Sequence, residues 1–404
     1  MFVICNPENR RVELFQNALR NLGLPPARVV AYIDLLAGHV DLSAELMPAA
    51  VVRIESPGED FEVEKALLLA GVEAAAAEGS PVIEAGAIQR LQFDRGLILH
   101  PRQWYLGYRE LLERMAATLA AAPEVLVLSQ PKDIAVMFDK GTCHVQCMQA
   151  GVSVPTGIGP VGSYDELTAR MSQAGMRRVF VKLSNGSSAS GVVAFAMIAG
   201  RPLAITSAEV VQGGGRTRLY NSLKIRSYRE PAMVVRLIDA LCRERVHVEE
   251  WLPKASLGHG SFDLRIVTID GEPRHTVLRE GRSPMTNLHL GSQRGDAIAC
   301  RERLGPERWH EIQVTCRRTA ALFPRTLHTG LDICITPDWG RHAVLEINAF
   351  GDLLPGVLCN GSDTYTAEVA AVLERCRCCQ VPEKPKIIRA GFDNPDDYRP
   401  IVET

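Results

Sequence analysis

The segment LDICITPDWGRHAVLEINAF, residues 331–350, carries three hard oxygen ligands on two neighbouring predicted strands. Asp332 ends the first strand, and Glu346 and Asn348 alternate along the second, so that their side chains point to one face. Two carboxylates and an amide oxygen suit Mg²⁺, which proteins commonly bind through one or two carboxylates together with substrate phosphates. The alternative is a solvated strand face. However, the apolar residues around these ligands indicate a strand buried on at least one side, where carboxylates are costly.

A second feature lies upstream, in VFVKLSNGSSASGVVAF, residues 179–195. A strand delivers Lys182 at its end, and a loop of eight small residues follows: Ser184, Asn185, Gly186, Ser187, Ser188, Ala189, Ser190 and Gly191. Such a loop can turn several backbone N–H groups toward an anion, and a nearby ammonium adds a point charge. It is neither a Walker loop nor a Rossmann fingerprint, because the lysine precedes the glycines and a strand follows them. A plain surface hairpin is the alternative.

A third feature is a predicted hairpin that turns at Asp270-Gly271. Asp263 and Arg265 lie on its first strand, and Arg279 lies on its second. Two arginines and an acid on neighbouring strands could neutralise a phosphate or an acyl-phosphate. The alternative is a cross-strand ion pair on an exposed face, which is common and contributes little energy.

Composition narrows the class of protein. The 404 residues include 45 Lys+Arg against 47 Asp+Glu, for a net charge of −2, which argues against a nucleic-acid binder that relies on bulk basicity. We find no signal peptide and no long apolar run, so we expect no membrane partner. The 11 cysteines are scattered along the chain, which favours reduced thiols and a cytoplasmic location. No Ser-His-Asp or Cys-His set stands out, so each histidine is interpreted as structural or exposed.

Five motifs follow one another along the chain: the strand–lysine–small-residue loop, EEW, DLR, GLDI and LEINAF. In this order they resemble the motifs of the ATP-grasp superfamily. The likeness spans about 133–360 and is strongest to ligases of the glutathione synthetase type and to enzymes that add glutamate to protein termini. A bacterial branch of unassigned reaction is also similar. The resemblance implies an α/β protein with an ATP-grasp fold, in which two α+β subdomains grip the nucleotide, preceded by an N-terminal Rossmann-like α/β domain.

The resemblance also divides the chain. Residues 1–130 would form the N-terminal α/β domain, and residues 131–246 would form the small lid subdomain, with an insertion around 200–245. Residues 247–380 would form the large subdomain with the metal site, and 381–404 a C-terminal tail. The insertion is longer than a minimal lid requires, so it either extends the lid or shapes a substrate pocket.

The family pattern implies roles for individual residues. Lys140 and Lys182 would contact the nucleotide phosphates, and Ser184 to Gly191 would form the loop that closes over them. The adenine would be read at a hinge, largely through backbone groups; the hinge residues are Glu249, Glu250 and Leu252.

Other positions match the reacting end of the site. Arg265 and Arg279 would hold the transferred phosphoryl group or the acyl-phosphate, and Asn287 would line the substrate side. The magnesium ligands would be Asp332, Glu346 and Asn348. The usual ribose-binding acid beyond the hinge is missing, and Lys254 or a serine stands there instead.

The implied activity is that of an ATP-dependent carboxylate–amine (or carboxylate–thiol) ligase that forms an acyl-phosphate and releases ADP and phosphate. Its cofactors would be ATP and Mg²⁺, for which Mn²⁺ could substitute. Its partners would be small-molecule or peptide carboxylates and amines, with a homodimer as the default oligomer. Two alternatives remain open at this point, a small-molecule kinase and a non-catalytic ATP-binding regulator. The aromatic, arginine-rich segment 89–108 either supplies substrate contacts or packs on the core.

Overall fold

A computed structural model describes residues 1–187, 189–213, 216–258, 260–350 and 354–380. Ser188 of the small-residue loop and the predicted tail 381–404 lie outside the described residues. The strands form three sheets, one parallel and two antiparallel, with helices packed against them. The mixed α/β class predicted from the sequence is therefore confirmed. No helix in these ranges is long and apolar enough to cross a membrane.

The N-terminal part is built around a four-stranded parallel sheet of order β2-β1-β3-β4. Its strands alternate with helices along the chain, which suits a sheet covered on both faces. Its elements are β1 (Phe2–Cys5), α1 (Arg10–Asn21), β2 (Arg28–Ala31), α2 (Tyr32–Ala37), α3 (Leu42–Glu45), β3 (Val51–Ile54), α4 (Phe61–Ala70), α5 (Val72–Ala77), α6 (Ala85–Gln89), α7 (Pro101–Ala120) and β4 (Leu126–Val127). The narrower Rossmann-like description stays a prediction.

Two consecutive helices of the N-terminal part, α4 and α5, are separated at a glycine. The Ala- and Leu-rich segment 65–79 breaks at Gly71, between α4 and α5. Gly71 lies against α7, where an added Cβ would come 2.0 Å from the Gln103 carbonyl oxygen. Gly107 on α7 packs against α4 as closely as Gly71 packs against α7. The two helices therefore touch through backbone.

The second sheet is antiparallel, with order β8-β7-β6-β5-β9. The elements of this part of the chain are α8 (Pro131–Met137), α9 (Lys140–Gln149), α10 (Tyr164–Gln173), β5 (Arg178–Leu183), β6 (Val193–Ile198), β7 (Arg201–Gly213), β8 (Arg216–Tyr228), α11 (Pro231–Arg243) and β9 (Val246–Glu250). Helices α10 and α11 contribute Leu167, Leu237 and Leu241 to the core of this sheet.

Sheet membership and packing shift the predicted subdomain limits. The predicted start of the large subdomain at residue 247 falls inside β9, which pairs with β5 in the second sheet. Helices α8 and α9 contribute Ile134, Met137 and Cys143 to the core that also includes the N-terminal and third sheets. Sequence periodicity shows that a helix has an apolar face, but it does not show which sheet covers that face.

The third sheet is antiparallel, with order β12-β11-β10-β13-β14. Its elements are β10 (Ser261–Ile269), β11 (Glu272–Gly281), a 3₁₀ helix (Leu288–Leu290), β12 (Gln293–Gly295), α12 (Ala297–Ala320), β13 (His328–Ile335), β14 (His342–Asn348) and the closing α13 (Thr364–Gln380). The hairpin turn between β10 and β11 falls at Asp270-Gly271 as predicted. Both residues have positive φ, 54° and 76°, as a tight two-residue turn requires.

The insertion 200–245 consists of β7, β8 and α11, so it enlarges the second sheet. Its edge strand β8 is joined by a segment of the N-terminal part, because Ile98 N donates to the Leu219 carbonyl oxygen at 2.9 Å. Nearby, the Tyr220 hydroxyl donates to Asp94 Oδ2 at 2.6 Å. The insertion is therefore part of the second sheet, and its two alternative roles, in the lid or in a substrate pocket, stay predictions.

Candidate active site

A cleft lies where α8, α9, β5, β9 and β14 meet. It contains both predicted phosphate lysines and one predicted metal ligand. Its lining residues are Met137, Lys140, Cys143, His144, Cys147, Val154, Lys182, His247, Glu249, Val344, Leu345, Glu346 and Ile347. The cleft thus brings together residues that lie up to two hundred positions apart in the sequence.

Lys182 is held in the cleft by Glu249 on the neighbouring strand β9. The Lys182 Nζ and Glu249 Oε1 atoms are 2.5 Å apart, and both side chains are largely buried. Burial alone would lower the pKa of Lys182, but the Glu249 carboxylate, with Glu346 and Asp332, raises it above its ordinary value. In turn, burial would raise the pKa of Glu249, but Lys182 and His247 lower it to about 2. Lys182 therefore remains charged, as a ligand for phosphate must be.

Lys140 connects the small-residue loop with the strand of the predicted metal ligands. Its Nζ donates to the Gly186 carbonyl oxygen at 2.5 Å and lies 2.9 Å from Glu346 Oε1. Lys140 is the first residue of α9, whose N-cap Asp139 accepts from Thr142 N at 3.0 Å. The Lys140 ammonium therefore joins the small-residue loop to β14 across the cleft.

The small-residue loop is anchored at both ends. Ser184 and Asn185 are buried, and Ser207 Oγ donates to the Ala189 carbonyl oxygen at 2.6 Å. Gly191 has a φ of +64°, and a Cβ there would lie 2.6 Å from Leu183 Cδ1, so only glycine fits. The exposed part of the loop around Ser187 is the part free to approach an anion.

Arg265, Arg279 and Asp332 form part of a buried chain of alternating charges. Arg265 Nε is 2.5 Å from Asp332 Oδ1, and one Arg279 terminal nitrogen is 2.9 Å from the same oxygen. Burial would raise the pKa of Asp332, but the two guanidinium groups lower it far below its usual range. Asp332 is consequently ionised at neutral pH.

The same chain of charges continues behind Arg279. Arg279 Nε donates to Asp263 Oδ1 at 2.8 Å, and Lys254 Nζ lies 3.0 Å from Asp263 Oδ2. Thr286 also donates to Asp263, and Lys254 donates to the Thr286 hydroxyl oxygen at 2.6 Å. Lys254 stands where a ribose-binding acid is expected from the family pattern. In the structure its side chain is buried and supports the arginine pair through Asp263 and Thr286.

The predicted magnesium ligands lie on one face of the third sheet. Asp332 pairs with Glu346 across β13 and β14, and Asn348 pairs with Gly330 two residues along. Asn348 Nδ2 donates to the Gly330 carbonyl oxygen at 3.2 Å, which leaves Oδ1 as the amide's ligand atom. No cluster of three His, Cys, Asp or Glu side chains in the described ranges could hold a metal. Two carboxylates completed by an amide oxygen nevertheless fit the hard-ligand preference of Mg²⁺.

At two predicted site features, polar groups already have hydrogen-bond partners within the protein. Asn287 Oδ1 accepts from His289 N at 2.8 Å and so caps the 3₁₀ helix, whereas its neighbour Thr286 joins the buried charges. At the predicted adenine hinge, Glu250 N already donates to the Thr156 carbonyl oxygen at 2.8 Å. Leu252 N donates to the Glu250 carbonyl oxygen at 3.1 Å. These roles for Asn287 and the hinge therefore stay predictions.

Sequence reasoning missed the two histidines that line the cleft. His247 Nε2 donates to Glu249 Oε2 at 3.1 Å, and its ring centroid lies 4.8 Å from that of His144. Burial lowers the pKa of His144, whose Nε2 donates to the Pro155 carbonyl oxygen at 2.8 Å. A signal for His247 was present, because His247 and Glu249 alternate on β9 and must share a face.

Residues of the second and third sheets, together with α8 and α9, thus line one cleft in which lysines face carboxylates. No family model matches the chain, and no curated protein matches it by sequence. Solved structures do match it. D-cycloserine synthetase DcsG is 14% identical over 93% of this chain and 98% of its own, with a TM-score of 0.53.

Two peptide-bound structures give similar values. The ATP-grasp ligase PsnB, complexed with precursor peptide PsnA2 and AMPPNP, is 16% identical over 93% of this chain and 98% of its own, with a TM-score of 0.50. The macrocyclase MdnC from Microcystis aeruginosa MRC, bound with precursor peptide MdnA, is 13% identical over 93% of this chain and 100% of its own, with a TM-score of 0.50. The chain therefore has the ATP-grasp fold, as the order of its motifs predicts.

Proposed function

We propose that this protein is an ATP-dependent ligase that activates a substrate carboxylate as an acyl-phosphate and joins it to an amine or thiol, releasing ADP and phosphate. The observation that carries the proposal is the pairing of cations and carboxylates in and beside one cleft. Lys140 meets Glu346, Lys182 meets Glu249, and Asp332 meets two arginines. Cations that are already positioned and charged need little reorganisation when they bind phosphate.

The nucleotide phosphates would be bound by Lys140, Lys182 and the backbone of the small-residue loop. Asp332, Glu346 and Asn348 would hold Mg²⁺, which supplies charge neutralisation for the phosphates when bound. Lys140 would exchange its ion pair with Glu346 for a phosphate oxygen, and this exchange frees Glu346 as a metal ligand. Glu249 would keep Lys182 charged and oriented throughout.

The arginine pair would act on the transferred phosphoryl group. Arg279 is fixed from behind by Asp263, which Lys254 and Thr286 contact in turn, so its guanidinium plane is held before substrate arrives. A planar guanidinium can bind a phosphoryl or acyl-phosphate group through two parallel hydrogen bonds. Such catalysis consists of positioning and electrostatic stabilisation, and it needs no nucleophilic side chain from the protein.

Two pools of candidate substrates should be tested first. The similar structures include a synthetase of a small molecule and two enzymes bound to precursor peptides. At 13–16% identity these names do not transfer a substrate, but they define which compounds to test first. We therefore choose amino acids and small carboxylic acids as one pool and acidic peptides as the other.

The experiment is a trap for the acyl-phosphate. The protein is incubated with ATP, Mg²⁺, hydroxylamine and each pool, and hydroxamates and ADP are measured by mass spectrometry. We expect a hydroxamate from at least one pool. A phosphorylated alcohol without hydroxamate would indicate the kinase alternative. Bound ATP without ADP in either pool would indicate the regulator.

A matched pair of variants tests the metal assignment within the same experiment. Glu346→Gln keeps the shape of the side chain but removes a ligand charge, and we expect turnover to fall by about a hundredfold or more. Glu272→Gln is the control, because Glu272 pairs with Arg317 on the surface, far along β11 from the cleft. Full turnover in Glu346→Gln would contradict the metal assignment.

A further inference from the structure

Arg102 is a buried arginine of the N-terminal part. It contacts residues that support the proposed nucleotide-binding cleft. It lies on α7, and only 4% of its side chain is exposed. Its Nε and one terminal nitrogen bond to the two carboxylate oxygens of Glu78, at 2.6 and 2.7 Å. This two-point contact fixes the plane of the guanidinium group.

The remaining terminal nitrogen of Arg102 contacts two residues that position the phosphate-binding groups. It lies 3.2 Å from Asn185 Oδ1, at the start of the small-residue loop, and 3.3 Å from Asp139 Oδ2. Asp139 is the N-cap of α9, the helix that begins at Lys140. One guanidinium group therefore connects the loop with the helix that carries the phosphate lysine.

The contacts around Arg102 are reinforced from both sides. Asn185 Nδ2 donates to the Phe138 carbonyl oxygen at 2.9 Å, so the amide bridges the loop and the turn before α9. The hydrogen bonds from Arg102, with one from Ser80, lower the pKa of Glu78 to about 2 although burial opposes this. Glu78 therefore stays charged and keeps holding the guanidinium group at every pH near neutrality.

We infer that Arg102 is a positioning residue for the nucleotide phosphates: it sets the small-residue loop and Lys140 at the spacing that a polyphosphate requires. This inference rests on the proposed function, because it presumes that the cleft binds ATP. Arg102 itself acts through Asn185 and Asp139, and it is distinct from the arginines of the buried charge chain. Lysine cannot replace it, since a single ammonium cannot bind Glu78 at two points and also reach Asn185.

The test compares two ligands that differ only in their phosphates. The affinities of ATP with Mg²⁺ and of adenosine are measured by calorimetry for the full-length protein and its variants. We expect Arg102→Gln and Arg102→Lys to weaken ATP binding by about tenfold or more, the loss typical of a charge-assisted hydrogen bond. We expect adenosine affinity to stay within about twofold, because the nucleoside carries no phosphate.

Two further variants complete the design. Arg109→Gln removes an arginine from the same helix whose side chain is 41% exposed and pairs with Glu113, and it should leave both affinities unchanged. Asn185→Ala removes only the loop-side partner, and we expect it to weaken ATP binding in a way that does not add to the effect of Arg102→Gln. This second variant also covers the case in which replacement of Arg102 prevents folding.

The outcomes separate this inference from the proposed function. Unchanged ATP affinity in the Arg102 and Asn185 variants would overturn the inference, and so would an equal loss of ATP and adenosine affinity, which signals general damage to the cleft. Absence of ATP binding in the unaltered protein would overturn the proposed function itself. Selective loss of ATP affinity supports both.

Discussion

Glu249 illustrates what the sequence predicted at the scale of single residues. The motif order identified the position, and the family pattern implied a backbone contact with adenine. The side chain pairs with Lys182 and accepts from His247, whereas the backbone contact stays a prediction. The residue types of the site could be predicted because each motif is local in sequence. Their pairings could not, because Lys182 and Glu249 meet only when β5 and β9 become neighbours.

The ion pair of Glu249 predicts a dependence of stability on pH. Its pKa is about 2 in the folded protein against an ordinary 4.5, so the stabilisation is present above pH 4.5 and is lost as pH falls toward 2. We expect Glu249→Gln to be less stable than the unaltered protein at neutral pH, by up to about 3 kcal/mol. The gap should close in acid. Urea unfolding across this pH range measures the difference in stability between the two proteins. A difference that does not change with pH would refute the assignment of the lowered pKa to the ion pair of Glu249.

At the scale of elements, turn chemistry predicted the hairpin of β10 and β11, and packing decided where helices break. The Asp270-Gly271 turn was predictable because positive φ at both positions is a local property. The break at Gly71 was not, because its cause is the approach of α7 from elsewhere in the chain. The same holds for β9, whose sheet depends on its partner strand.

The close crossing of α4 and α7 yields a prediction for Gly107. A Cβ at this position would lie 1.9 Å from the Leu67 carbonyl oxygen, so the helices would have to separate. We expect Gly107→Ala to reduce the free energy of unfolding by about 3 kcal/mol, as overpacking does. Gly86→Ala is the control, because its nearest neighbour would be the flexible Arg90 side chain at 3.8 Å. Equal stability of both variants would contradict the described crossing.

At the scale of the whole molecule, buried charges join β3 to α13. Arg53 on β3 lies 2.7 Å from Glu55 and 2.5 Å from Glu368 on the closing helix α13. Arg11 at the start of α1 donates to the Phe350 carbonyl oxygen at 2.8 Å, just beyond the predicted metal ligands. Contacts separated by more than three hundred residues leave no periodic signal, so the sequence could not reveal them.

The buried Arg53 predicts a loss of stability that spares the cleft. Arg53→Met would leave two buried carboxylates without their cation, and breaking such a pair typically costs about 3–5 kcal/mol. We expect the free energy of unfolding measured with denaturant to fall by that amount, with ATP affinity retained by the folded fraction. Arg28→Met serves as the control, since 61% of the Arg28 side chain is exposed. If Arg53→Met left the free energy of unfolding unchanged, the ion pairs of Arg53 would not be what holds β3 to α13.

The central claim is that a substrate carboxylate attacks the terminal phosphate of ATP. The most direct measurement uses the acid identified by the hydroxamate screen, labelled with oxygen-18 in its carboxylate. After turnover with ATP, Mg²⁺ and the amine, the released phosphate is analysed by mass spectrometry. We predict that one carboxylate oxygen is transferred into each phosphate, because the acyl-phosphate breaks at the acyl carbon. Unlabelled phosphate formed together with the joined product would contradict it.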